Sequence, residues 1–561
     1  MVLTDRIKSP AWLTAAALAL IAVLASALYL PFLGNPPIFD DKIFFSGAGF
    51  YDYARFPFGL GTRYPPYFSL AWTHVVFGSI GAHRLVSLAL HVGCAWALLA
   101  LLRSLEVRCF AAFAGAALFA VHPVAVYGAA YLTQRSIVVA TLFALLSLLM
   151  FLRGLRSGSL SDALIAALLY SLSILSKEHA ILLPLAMAAL APLARVRLWF
   201  AVRYVGLFLI ACAPAAVMVV AFVRATGVIG EVYEPHFASI ASQLVTWGVS
   251  SPWMASVLVQ VALFFKYLYL WLLPSTADMA LDLRIDFAQY WAPSVALPVV
   301  LCYVASGALA IYLTLRRGRL ALPAWGFLYV WVLFAVEFTA VRFQEPFVLY
   351  RSYLWAPGIA VAVTAAADRL PPRLLLALLV PALALLSWQA HDRLRTFSSG
   401  LAIWEDAAAK LPRDAVPGGY RPLYEVGREY LYAGRPKDAV EVTERCIRLY
   451  PRLFDCALAR AAIQIEMRQY ERALPSIIYA IALRPRDGSA RHHLGLVLEN
   501  LGCRQESMVQ YRLAIALHYR EAEHRVLRAE APGKGLLPPI DLPQQVDCKD
   551  LLAKNPVPKP G

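Results

Sequence analysis

The chain has 561 residues, of which 60% are hydrophobic and 16% charged, and its mean hydropathy is +0.61. Soluble domains carry about 25% charged residues, so the composition excludes an ordinary soluble enzyme and predicts a polytopic membrane protein with one polar appendage. A net charge of +15 does not imply nucleic-acid binding, because the arginines punctuate apolar runs as cytoplasmic anchors do.

In chain order, Arg6 and Lys8 precede an apolar run from about Ala11 to Leu33. That is long enough for the roughly 20 residues that cross a bilayer. No small-residue cleavage site follows, so the run reads as a retained helix rather than a signal peptide. Phe39-Asp40-Asp41 then opens a long polar loop. The two aspartates either cap the short helix after them, since Asp favours N-caps, or present a carboxylate pair at the membrane surface.

Further apolar segments lie at about 83–102, 110–126, 136–152, 160–175, 180–194, 198–223, 293–315, 320–341, 352–367 and 374–390, which makes eleven spans with the first. Arginine-rich clusters fall at Arg6/Lys8, Arg103/Arg108, Arg153/Arg156, Arg195/Arg197, Arg316/Arg317/Arg319 and Arg369/Arg373. Eleven crossings put every cluster on the cytoplasmic side, as the positive-inside rule requires. An additional run at 258–273 would move Arg316, Arg317 and Arg319 outside if it crossed, so it reads as re-entrant or interfacial. The soluble C-terminus is then external.

Under this count the outward loops hold Asp40, Asp41, Arg63, His83, His122, Gln134, Arg135, Lys177, Glu178, His179, Asp278, Asp282, Glu345 and Arg351. Charged groups beside apolar spans are costly and often mark a site, although single ones also anchor helix ends by snorkelling.

From about residue 400 the chain becomes charged and repeats. Gly427, Ala461 and Gly495 lie 34 apart, as do Ala439, Ala473 and Ser507, then Cys446, Ala480 and Ala514, and Pro451, Pro485 and Tyr519. A 34-residue period with small residues where paired helices touch is the tetratricopeptide pattern, and stacked repeats of this kind bind other chains or cap their own. The expected division is a membrane module over 1–392, a repeat domain over 393–530 and a Pro-rich tail over 531–561. The fold class is all-α.

Cys94, Cys109, Cys212 and Cys302 lie in or beside apolar helices and read as small core residues. Cys446, Cys456, Cys503 and Cys548 lie in the external part, where disulfides persist, and four cysteines allow three pairings. The arrangement favoured joins Cys446 to Cys456 across a repeat junction and tethers the tail through Cys503 and Cys548. His492-His493, inside a repeat helix, reads as a solvated face. No metal-ligand cluster, phosphate-binding loop or nucleophile elbow stands out in the sequence.

The motif order resembles the membrane module of the GT-C glycosyltransferases, and in particular the transmembrane and tetratricopeptide-repeat-containing O-mannosyltransferase family with its bacterial relatives. The residues that carry the likeness are Phe39-Asp40-Asp41, Arg63-Tyr64-Pro65-Pro66, His83-Arg84-Leu85 with His91, and Phe119-Ala120-Val121-His122-Pro123 with Gln134-Arg135-Ser136. Ser176-Lys177-Glu178-His179, Tyr269-Leu270-Trp271-Leu272-Leu273-Pro274 and Tyr350-Arg351-Ser352-Tyr353-Leu354 complete the set. Gln134 stands where that family usually has glycine.

This resemblance implies a sugar donor linked to polyprenyl phosphate, with its head at the outer membrane surface. Asp40 is then the general base for an acceptor hydroxyl, and Asp41 orients it or binds acceptor. Arg135, Lys177 and Arg351 are expected to meet the leaving phosphate, joined by Arg63 and His179, with His122 and Glu178 also lining the substrate site. The one cofactor class the acidic pair admits is a divalent metal, Mg or Mn. The implied acceptor is a polypeptide, or a partner that delivers it, docked by the repeats. A glycan- or lipopolysaccharide-modifying ligase and a non-enzymatic assembly scaffold are the competing readings. Arg, Ala and Leu richness resembles a bacterial protein from a GC-rich genome, which places the chain in an inner membrane with its C-terminal domain periplasmic.

Overall fold

A computed structural model describes residues 10–46, 52–55, 61–227, 251–286, 288–343, 345–530 and 547–559. Among them all regular structure is helical. The chain divides into two compact units, Met1–Lys410 and Leu411–Gly561.

In the first unit the sequence gives long Ala- and Leu-rich helices, the form in which a chain satisfies its own backbone inside lipid. Among the described residues eight, Pro252–Leu272 included, are long and apolar enough to cross a membrane, and a ninth is the pair Cys109–Ala120 and Pro123–Ala129, bent by 48°. The bend falls at Pro123, which lacks an N–H and disfavours helical backbone in the residue before it. Leu160–Ser176, Glu178–Ala188 and Ala356–Ala367 are shorter apolar helices. Pro184 opens the α-helical part Leu183–Ala188 of the second, and Pro357 sits in the first turn of the third. All eleven expected segments are therefore helical, four of them broken or shorter than their apolar runs.

The polar loops and the arginine clusters Arg103/Arg108, Arg153/Arg156, Arg316/Arg317/Arg319 and Arg369/Arg373 lie at opposite ends. At one end Arg84 donates to the carbonyls of Asn35, Pro36 and Ala130 at 2.8, 2.7 and 2.8 Å, and Asn35 donates to Leu394 O at 3.1 Å. These bonds tie the ends of four apolar segments. At the other end Arg108 pairs with Asp368 at 2.9 Å, Arg156 donates to Ser104 O at 2.7 Å, and Arg369 donates to Arg319 O. Arg6 and Lys8 lie outside the described residues.

The run expected to be re-entrant or interfacial is one unbroken 21-residue helix, Pro252–Leu272, so the re-entrant form is corrected. Its two ends are fixed at similar heights. Trp253 donates to Phe338 O at 3.0 Å, and Gln389 donates to Pro274 O at 2.9 Å. Phe338 and Gln389 each stand seventeen residues from the arginine end of their helices, Ala321–Thr339 and Pro372–Thr396. That is about 25 Å at 1.5 Å per residue. The helix thus runs along the loop end instead of between the two ends.

The first compact unit runs to Lys410. Helix Gly400–Ala409 is held there because Arg393 and Lys410 both donate to Met279 O, at 2.7 and 2.6 Å, and both pair with Asp406.

The second unit contains three helix pairs: Tyr420–Tyr432 with Pro436–Leu449, Phe454–Glu466 with Tyr470–Leu483, and Gly488–Asn500 with Arg504–Ala516. Starts recur at intervals of 34 residues. A side chain at Gly495 would meet the Tyr511 ring at 2.5 Å, which is why this column takes small residues. The turn within each pair needs one left-handed residue: Gly434, Arg468 and Gly502, with φ of 70°, 56° and 88°. Glycine adopts this conformation without strain and closes helices for that reason. Cys446 is bonded to Cys456, and Cys503 to Cys548.

Candidate active site at the loop end of the helices

Asp40 begins the short helix Asp40–Ser46. Its backbone N–H donates to the Tyr131 hydroxyl at 3.3 Å, and that hydroxyl also bonds the Asp40 side chain. Asp41 is fully buried and committed to the backbone. It accepts N–H bonds from Thr133 at 2.8 Å and from Leu132 and Ile38 at 3.4 Å each. Burial pushes its carboxyl up to about 6, against the pull of those bonds and of Arg84. Asp41 therefore fixes the loop on which Asp40 sits.

Two non-glycine residues here have left-handed backbone, Phe39 at φ 45° and Arg63 at φ 64°. Such strain costs of order 1–3 kcal/mol per residue and persists where surrounding contacts impose it.

A continuous charged chain crosses the same end of the molecule. Arg63 pairs with Glu178 at 3.0 Å. His179 stands 3.6 Å from Glu178 through Nδ1 and 3.3 Å from Glu337 through Nε2. Glu337 in turn holds Arg342 at 2.8 Å and Arg351 at 3.2 Å. Lys177 is buried with its ammonium 5.7 Å from the centre of the Tyr350 ring. Burial pushes Lys177 down to about 7, and Arg63 acts in the same direction. The Tyr350 ring lies 6.2 Å from the Tyr131 ring, so Tyr131 and Tyr350 link Asp40 to the cations. Four cationic side chains, Arg63, Lys177, Arg342 and Arg351, gather here with the carboxylates Glu178 and Glu337, and Glu345 acts on both Tyr350 and Arg351.

Of the residues expected from sequence, the structure brings Arg63, Lys177, Glu178, His179 and Arg351 into this chain. Asp40 and Asp41 adjoin it. Arg135 lies elsewhere, fully buried, its guanidinium donating to His83 O at 2.7 Å and to the hydroxyls of Ser69, Ser87 and Thr73 at 3.1–3.3 Å. His122 is also apart. Its Nδ1 accepts from Val124 N–H at 3.2 Å, Nε2 stands 3.2 Å from Trp271 O, and its ring stacks on Trp271 at 4.3 Å.

Glu337, Arg342 and Tyr131 were not singled out from the sequence, and Tyr350 was noted only as part of the Arg351 motif. Glu337 had one available signal: it is an acid near the end of an otherwise apolar run, and an acid in such a run is costly unless partnered.

The donor set does not fit a metal held by the acidic pair. Both Asp41 oxygens accept backbone N–H bonds, and among the described residues no third ligand gathers beside Asp40 and Asp41. The one such cluster, Cys503, Glu506 and Cys548, has two of its members in a disulfide.

No protein-family model and no curated protein matches the chain. Among solved structures it is similar to the oligosaccharyltransferase of Archaeoglobus fulgidus, crystallised with a tethered acceptor peptide containing the NVT sequon. The two are 14% identical with a TM-score of 0.34, over 74% of this chain and 59% of that one.

Proposed function

We propose that the chain is a membrane glycosyltransferase of the GT-C type, moving a sugar from a polyprenyl-phosphate carrier to an acceptor hydroxyl, with protein O-glycosylation as the reaction. The observation that carries this reading is the run from Asp40 through Tyr131 and Tyr350 to Lys177. It sets a carboxylate beside a group of cationic side chains at the end of a bundle of apolar helices.

In this reaction the acceptor oxygen bonds to the anomeric carbon of the sugar while the bond from that carbon to the phosphate oxygen breaks. Asp40 takes the acceptor proton as general base. The phosphate departs with the bonding electrons, and preorganised cations stabilise the charge it gains. Lys177, Arg351, Arg342 and Arg63 are the proposed phosphate partners, with arginine offering a two-pronged contact and lysine a point charge. Arg135 and His122 are assigned to holding helices around the site. The positive-inside rule sets the arginine end of the bundle in the cytoplasm and the site on the periplasmic face of a bacterial inner membrane. The 34-residue helix pairs are read as tetratricopeptide repeats that dock the polypeptide acceptor or a partner delivering it.

The test compares intact masses of envelope proteins and glycolipids from cells with and without the chain. Loss of a fixed sugar mass from polypeptides is expected. A loss confined to glycolipids would move the acceptor to the glycan class, and no change in either would remove the enzymatic reading.

A further inference from the structure

Phe39, strained at φ 45°, meets Trp404 edge-on, with ring centroids 5.5 Å apart and planes at 83°. Trp404 is buried at 3% exposure on helix Gly400–Ala409. That helix is clamped from below by Asp406, which pairs with Arg393 at 3.0 Å and with Lys410 at 2.6 Å. On the far side of Asp40, Asp41 is anchored to Thr133 N–H at 2.8 Å. Asp40 thus stands between two fixed residues, and one of its two anchors belongs to the helix just before the repeat unit in the chain.

We propose that Trp404 is a positioning residue for Asp40. Its ring keeps Phe39 in a backbone conformation that a bulky residue otherwise avoids, and this sets where the Asp40 carboxylate meets the acceptor hydroxyl. The inference rests on the reading of Asp40 as general base. Edge-to-face ring pairs have a specific geometry, so a small side chain at 404 would let Phe39 relax toward ordinary backbone and swing Asp40 away. Lys177 and Arg351 do not depend on this contact, so donor binding and turnover should separate.

The test uses the full-length protein with two readouts: binding of undecaprenyl phosphate to purified protein, and sugar mass added to envelope polypeptides in complemented cells. Trp404→Ala should lower turnover by about a hundredfold, the scale of a 1 Å misplacement, and leave lipid-phosphate binding unchanged. Trp404→Phe should restore most of it. Phe39→Gly relieves the backbone strain and removes the ring that Trp404 holds, while the Asp406 ion pairs of helix Gly400–Ala409 stay in place. It should lose turnover to a similar degree while its melting temperature does not fall. Full turnover in Trp404→Ala, or equal loss of binding and turnover with no rescue by Phe, would overturn the positioning role. Absence of added mass with the unmodified protein would instead remove the glycosyltransferase reading on which it rests.

Discussion

Glu337 and Arg351 form a buried ion pair, Oε2 to Nη1 at 3.2 Å, and the same oxygen holds Arg342 at 2.8 Å. One carboxylate at the end of an apolar helix thus orients two cations from the segment that follows it. Removing one partner of a buried pair costs roughly 3–5 kcal/mol because the other charge is left uncompensated. Glu337→Gln, which keeps the volume, should therefore lower the melting temperature in detergent and weaken undecaprenyl-phosphate binding. Unchanged stability together with unchanged binding would show that the two arginines are held by other groups.

Lys177 gives a pH signature. Its ammonium is pushed down to about 7, chiefly by burial. Below that pH both folded and unfolded chains carry the proton, and the cost of burying the charge is felt in full. Between about 7 and the ordinary lysine value near 10.4 the unfolded chain binds more protons than the folded one, so stability rises with pH. Lys177→Met should raise the melting temperature most at acidic pH, with the gain shrinking as pH climbs through that window. Undecaprenyl-phosphate binding by the unmodified protein should fall as pH rises through about 7, and the Met variant should lack that step. A pH-independent difference in stability would show that the Lys177 ammonium is not pushed down in the folded chain.

Arg468 is the odd member of the turn column that otherwise holds Gly434 and Gly502. An L-residue in left-handed backbone pays roughly 1 kcal/mol that glycine does not. Arg468→Gly should stabilise the repeat unit by about that amount, read as an upward shift in its thermal transition. A shift downward would mean that the arginine side chain outweighs the strain.

Sidedness follows from the separation of the two ends. Ala277→Cys lies in the loop after helix Pro252–Leu272 and Gly318→Cys lies in the arginine-rich turn, both at exposed positions. In a background without Cys109 and Cys302, a thiol reagent that cannot cross the membrane should label Ala277→Cys from the periplasm and leave Gly318→Cys untouched. Labelling of both, or of Gly318→Cys alone, would reverse or break the proposed orientation.

The parts of this architecture legible in the sequence are those with a period or a local rule. Apolar runs gave the helices, arginine clusters gave the two ends, and the 34-residue columns gave the helix pairs, although the turn column Gly434, Arg468 and Gly502 was not picked out. Cys446 and Cys456 were legible as partners because they flank one repeat junction. The lengths of helices were less so, because Pro123, Pro184 and Pro357 cut apolar runs that hydropathy alone reads as continuous. The site was half legible. Arg63 and Glu178 meet at 3.0 Å across 115 residues of chain, and no local pattern encodes such a pairing. Glu337 was hidden by its apolar neighbours. Arg135 was expected at the phosphate from its outward loop and from the resemblance, and its guanidinium bonds Ser69, Thr73, Ser87 and His83, partners that no local pattern of the sequence names.

The central claim is that Asp40 removes the acceptor proton while Asp41 only holds the loop. It is tested most directly by comparing Asp40→Asn with Asp41→Asn in cells and as purified protein. Loss of a general base costs roughly 10²–10⁴-fold in rate, so Asp40→Asn should accumulate normally, bind undecaprenyl phosphate as before, and add almost no sugar mass to envelope polypeptides. Asp41→Asn keeps an oxygen for the Thr133 N–H and should retain most of the activity. Near-normal transfer by Asp40→Asn would contradict the account and return Asp40 to the role of a helix cap.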